Sequence, residues 1–196
     1  SNGLLVVLIL GFTVVAVGLL TFSDFSGKDQ GNLIRGLSEF RVDGHRFFRA
    51  SSSPFDKARY ERARTAAELF LISAPDSVVS SRLRALIAVG ADRLREAADI
   101  LEKLGKKDGA NAEVLNDLGV VYCGLGKENP SNYFRALRAF ERSALLSSHA
   151  AVPRFNAVLA YRKVGIRDLA EENLKQYQGL ERNSFWSREL TPGAVD

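Results

Sequence analysis

The sequence predicts an all-α chain in two parts, an apolar N-terminal helix and a body of paired helices, and three observations carry that reading. The stretch "GLLVVLILGFTVVAVGLLTF", Gly3 to Phe22, has no charged residue in a chain where 26% of positions are charged. From Pro54 onward apolar residues recur at spacings of three and four, and the breaks fall at glycines, prolines and Asn, Asp or Ser clusters. Nothing reads as a strand.

Residues 1–23 are expected to form the apolar helix. Twenty residues of helix rise about 30 Å, which matches the hydrocarbon thickness of a bilayer. A secretory signal has a shorter apolar region, typically about 7 to 15 residues, and ends at an Ala-x-Ala-like site. This run ends in "TFSDFSGKDQG", which has no such site, so a retained helix is expected. Gly11 and Gly18 are seven positions apart, share a helix face, and could let another backbone approach closely. Methionine is absent, position 1 included, which suggests that Ser1 is not the translational start. Lys28, Arg35 and Arg41 follow the run, which on a positive-inside count puts the body in the cytoplasm. Residues preceding Ser1 could reverse that count.

Residues 24–53 are expected to be linker and irregular chain. "SDFSGKDQGN" is polar and turn-rich, and "LIRGLSEFRVDGHRFFRASSSP" has a weak helical pattern broken by Gly36, Gly44 and the serines before Pro54. The net charge of +4 is a local excess: Arg41, Arg46, Arg49, Lys57, Arg59, Arg62 and Arg64 stand against only Asp43, Asp56 and Glu61. Such a stretch could face an anionic membrane or a phosphate polymer, or be a solvated helix face. Nucleic-acid binding would need bases interleaved with exposed aromatics, or a known module, and neither is present.

Residues 54–182 carry the helical pairs. The most legible segment is "AEVLNDLGVVYCGLG", with Leu115, Leu118, Gly119, Tyr122 and Gly126 in a regular helical spacing. It resembles the first helix of a tetratricopeptide repeat, a helix-turn-helix unit of about 34 residues. With Ala112 as the first position, the same frame puts the small residues Ala63, Ala97, Ala136 and Ala170 where the two helices of each unit must touch. It also puts Pro75 at a terminating position and Tyr161 where Tyr122 stands, with one insertion around "KENPSN". The first repeat has Arg84, Ala85 and Ala88 in place of the usual leucine, glycine and tyrosine, and the earliest unit keeps only its second helix. Residues 183–196, with "NSFWSREL", are expected to cap the stack, Phe185 and Trp186 covering its last apolar edge. A weaker resemblance runs to bacterial repeat arrays that precede caspase-like peptidase domains, although no peptidase follows here.

The resemblance implies a concave groove lined by the first helices. Its expected lining is Arg82 and Leu86, then Glu113, Asn116, Val120, Cys123 and Gly124, then Val152, Phe155, Leu159, Arg162 and Lys163. A groove of this mixed apolar and basic character suits an extended or helical peptide. The same faces could instead pack on a neighbouring subunit or on the N-terminal segment. The basic and asparagine set by which chaperone adaptors of this family clamp a terminal carboxylate is missing.

No residue set points to catalysis, and no enzyme activity is expected. His45 and His149 have no nucleophile and carboxylate pattern around them, and Cys123, the only cysteine, sits on a repeat helix. "GLGK" at Gly124 to Lys127 lacks the rest of a phosphate loop and reads as a helix C-cap. No cofactor or metal is expected. Two functional readings follow. The first is a membrane-anchored scaffold whose repeats bind a protein partner. The second is a pilin-like subunit whose apolar helices bundle into a filament core, although such subunits usually carry glutamate where Leu5 stands. Both imply a homo-oligomer or lipid around the Gly11 and Gly18 face.

Overall fold

The computed structural model describes residues 27–48, 55–107, 111–181 and 185–190. The apolar run, with Gly11 and Gly18, lies outside them. Among the described residues no helix is long and apolar enough to cross a membrane.

The fold is a stack of helix pairs. In chain order the helices are α1 (Gly27–Leu37), α2 (Lys57–Ser73), α3 (Val78–Gly90), α4 (Leu94–Lys107), α5 (Ala112–Leu125), α6 (Ser131–Leu146), α7 (Ala151–Lys163), α8 (Arg167–Leu180) and the short α9 (Phe185–Glu189). Within the stack α3 packs on α4, α5 on α6 and α7 on α8, and each pair leans on the next through α4–α5 and α6–α7. The starts are set locally: Asp56 accepts from the Arg59 N–H, Ser77 and Ser80 cap each other reciprocally, and Asn111 accepts from Glu113 and Val114. Helix α2 ends at Ser73, ahead of Pro75.

The expected repeat contacts are present. Ala97, Ala136 and Ala170 are buried between paired helices. Gly119 lets α6 approach, since a Cβ there would lie 2.4 Å from the Phe140 ring. A second sign of the period is a tyrosine that reaches back to the preceding helix. Tyr122 donates to Glu102 at 2.6 Å, and Tyr161 donates to Glu141, both across twenty residues.

The N-terminal part of the body adds a helix and a hairpin to the stack. Helix α1 starts at Gly27, within the stretch read as linker, and runs into the segment from Leu33 that was read as helix and loop; Leu33, Ile34 and Leu37 form an apolar stripe buried against α2 and α3. A Cβ on Gly36 would lie 2.5 Å from that of Ala63, so α1 and α2 are in close contact. Thus α1 supplies the partner that the earliest unit lacked.

One short hairpin stands beside the all-α stack. Arg41–Val42 (β1) and His45–Arg46 (β2) form an antiparallel pair, with Arg41 opposite Arg46 and Val42 opposite His45. Strands of two residues are too short to show alternation. What makes them is the turn, where Asp43 and Gly44 take φ of 49° and 81°, the left-handed region that Asp-Gly hairpin turns use.

Candidate functional site

A hairpin of the chain itself lies against the helices that were expected to line a groove. The hairpin follows the end of α1, packs on α5 and α7, and reaches the cap at α9. Two side chains of the groove take hold of one residue's backbone. Asn156 accepts from the Arg46 N–H at 2.8 Å and donates to the Arg46 carbonyl at 2.7 Å. Asn116 donates to that same carbonyl at 3.0 Å, and accepts from Asn156 at 2.9 Å. The peptide group fixes which way each amide points, because a flipped Asn156 would meet an N–H with an N–H.

Beyond this clamp, the Phe48 N–H donates to Asp117 at 2.8 Å. Asp117 and Arg82 are both buried, and the Asp117 carboxylate takes the Arg82 Nε and Nη2 at 2.7 Å while Glu113 also pairs with Arg82. Burial works against the Arg82 charge, but Asp117 and then Glu113 outweigh it and hold the guanidinium above its ordinary range. Burial pushes the Asp117 carboxyl above its ordinary range, against the Arg82 charge and the Phe48 N–H, which both favour the carboxylate.

The side chains of the hairpin are received in turn. Arg46 lies 4.3 Å from the Trp186 ring centroid and 5.3 Å from that of Phe155. Burial lowers its pKa to about 10, with Glu181 opposing, so it stays charged at neutral pH. Arg41 stacks on Trp186 at 4.6 Å and pairs with Glu189 at 2.8 Å. Phe47 is fully buried in the main core, and His45 stacks on Phe140 at 5.9 Å with its Nδ1 3.3 Å from the Val42 carbonyl. Val42 fits against Gly124, where a Cβ would meet it at 2.7 Å. At the turn, Asp43 faces Lys127 at 3.4 Å and Lys163 at 3.8 Å.

The residues of the predicted lining fall in several places. Asn116 and Phe155 are buried against the hairpin, Val120 is buried in the main core, Leu159 lies beside the turn at Gly44, and Lys163 pairs with Asp43. Leu86 belongs to the main core, and Arg82 and Glu113 form the ionic support below Phe48. Arg162 reaches the cap, donating to the Leu190 carbonyl at 2.8 Å. Sequence reasoning missed Asp117 and Asn156, which occupy the same position of successive units. Their signal was a polar side chain next to the expected groove row in otherwise apolar helices. Trp186, expected to cover the last apolar edge of the stack, contacts Phe155 edge-on at 6.2 Å and is also the platform for two arginines.

The hairpin is held by hydrogen bonds, ring contacts and ion pairs. Burial pushes the Cys123 thiol up, away from the thiolate form a nucleophile needs. Among the described residues no group of three His, Cys, Asp or Glu side chains could hold a metal ion.

No family model matches the chain, and no curated protein matches it. Among solved structures it is similar to MamA of AMB-1, with 22% identity over 67% of this chain and 69% of that one and a TM-score of 0.49. A second crystal form of MamA from AMB-1 gives 21% identity over 62% and 68%, with a TM-score of 0.48.

Proposed function

We propose that this chain is a non-enzymatic protein-interaction scaffold whose concave face holds an extended polypeptide, and that the run Gly3–Phe22 tethers it to a membrane. One observation carries the interaction reading: Asn116 and Asn156, on successive units, together satisfy both the N–H and the carbonyl of a single residue in an extended segment. Backbone recognition of this kind gives affinity without fixing the sequence bound, and flanking side-chain pockets add the choice. The tether rests on the length of the run and its freedom from charge.

The interaction reading is tested with a displayed library of ten-residue peptides, panned against the full chain in detergent and against a form with Asn116→Ala and Asn156→Ala. Peptides enriched on the first and lost on the second are expected. Equal enrichment on both would remove the groove from the mechanism. For the tether, mild detergent is expected to release dispersed particles visible by electron microscopy. Detergent-resistant fibres would replace the tethered reading with that of a filament subunit.

A further inference from the structure

We propose that the segment Arg41–Phe48 is a resident ligand: it keeps the groove closed, and the partner that displaces it is an extended peptide with an arginine followed by a large apolar residue. The inference rests on the interaction reading above and specifies its ligand and its control.

Three features of the segment separate it from an ordinary connection. The first is its route. Helices α1 and α2 touch at Gly36 and Ala63, yet Arg41–Phe48, in the chain between them, lie along α5 and α7 and reach the cap at Glu189. Connections between paired helices usually take about 2 to 8 residues, so the excursion exceeds what joining these helices requires.

The second is the kind of grip. The clamp on Arg46 and the bond from the Phe48 N–H to Asp117 use main-chain groups, so any peptide in the same extended conformation can make them. Selection lies in the side-chain pockets. The planar guanidinium of Arg46 lies over Trp186 and Phe155, with Glu181 and Glu189 supplying negative charge around it, an arrangement that distinguishes arginine from lysine by stacking. The next side chain, Phe47, enters the apolar core and sets the preference for a large apolar residue.

The third is what the segment buries. A filler kept only for stability would be apolar, because desolvating charged groups offsets much of what their pairing returns. This segment instead buries an arginine and a histidine. Its occupancy is tied to specific, exchangeable contacts.

If only a fraction of the molecules is open at any moment, a peptide added in trans binds more weakly by that fraction, and weakening the segment should restore affinity. The probe is a dye-labelled synthetic peptide "FRVDGHRFFR", residues 40–49. It is titrated into the full chain in detergent, as wild type and as Arg46→Ala, with Trp186 fluorescence as a second signal from within the pocket. Arg46→Ala is expected to bind the peptide at least about tenfold more tightly than wild type. A peptide carrying alanine at its Arg46 position is expected to bind at least about tenfold more weakly than the original.

Equal affinity of the peptide for wild type and for a folded Arg46→Ala would overturn the proposal. If library peptides still bind through Asn116 and Asn156 in that case, the interaction reading stands while the resident-ligand proposal falls. If Arg46→Ala does not fold, hydrogen exchange of the wild type decides. Amides of Arg46 and Phe48 exchanging at least about 100-fold faster than those of Val120 and Val121 would show the segment opening alone. Exchange in step with those helix amides would make it permanent core and overturn the proposal.

Discussion

Asn156 accepts one main-chain proton and donates to one carbonyl and one amide oxygen. Alanine in its place would leave the buried Arg46 N–H without its acceptor, and Asn116 would retain only part of the clamp. Asn156→Ala is expected to lower stability by about 1–3 kcal/mol, the usual cost of a buried polar group left unsatisfied, measured as a shift in urea midpoint at constant slope. His45 makes a different prediction. Burial first, with Arg41 a minor contributor, lowers its pKa to about 4 from an ordinary 6.5, against opposing contributions from Asp43 and the Val42 carbonyl. The unfolded chain therefore takes up a proton at a pH where the folded chain does not. The contribution of His45 is complete above pH 6.5 and is lost as the pH falls from there toward 4, by up to about 1.4 kcal/mol per pH unit. Urea titrations across that range should show this slope, and His45→Phe should reduce it.

At the level of elements, the helix pairs are held by small residues at chosen crossings. Gly119 faces the Phe140 ring so closely that a methyl group would sit 2.4 Å from it, and Phe140 is itself buried under His45. Gly119→Ala is expected to destabilise by about 1–3 kcal/mol through overpacking, despite the higher helix propensity of alanine, as read from the thermal midpoint. This crossing was legible in the chain because a glycine between Leu118 and Tyr122 breaks an apolar helix at one face only. The hairpin was not legible, although its Asp-Gly turn was. Its flanking residues are two arginines, a valine and a histidine, and His45 and Arg46 become buried only because Phe140, Phe155 and Trp186 are brought to them. Helix α1 was hidden by its first turns, "GKDQGN", whose polar composition resembles a linker until Leu33, Ile34 and Leu37 meet α2 and α3.

For the whole molecule, the hairpin changes the mechanics of the stack. A repeat array touches mainly its nearest neighbours, so its ends can unfold independently. Here Arg41 pairs with Glu189 across 148 residues, and Arg46 with Asn156 across 110 residues, which ties the first unit to the cap. The wild type is therefore expected to unfold in one transition, with Trp186 fluorescence and helical circular dichroism coincident in urea. Replacing Phe47 by alanine, which removes a fully buried ring and costs about 3–5 kcal/mol, should separate the two signals as the cap detaches before the central helices.

The sequence by itself determined the helices, their pairing and the repeat frame, because periodicity, caps and small residues at crossings act over a few turns of chain. It also marked the row of positions that faces the groove, since that row is a property of one helix face. Only the tertiary structure decided what lies in the groove and which polar residues hold it. Arg46, Asn116, Asn156 and Trp186 come from four separate stretches, and their meeting depends on the stack's curvature and on the route of a loop. Neither leaves a pattern in local spacing. A peptide amide clamped between two asparagines is a contact between distant parts of the chain, and it exists only once the helices that carry them are packed.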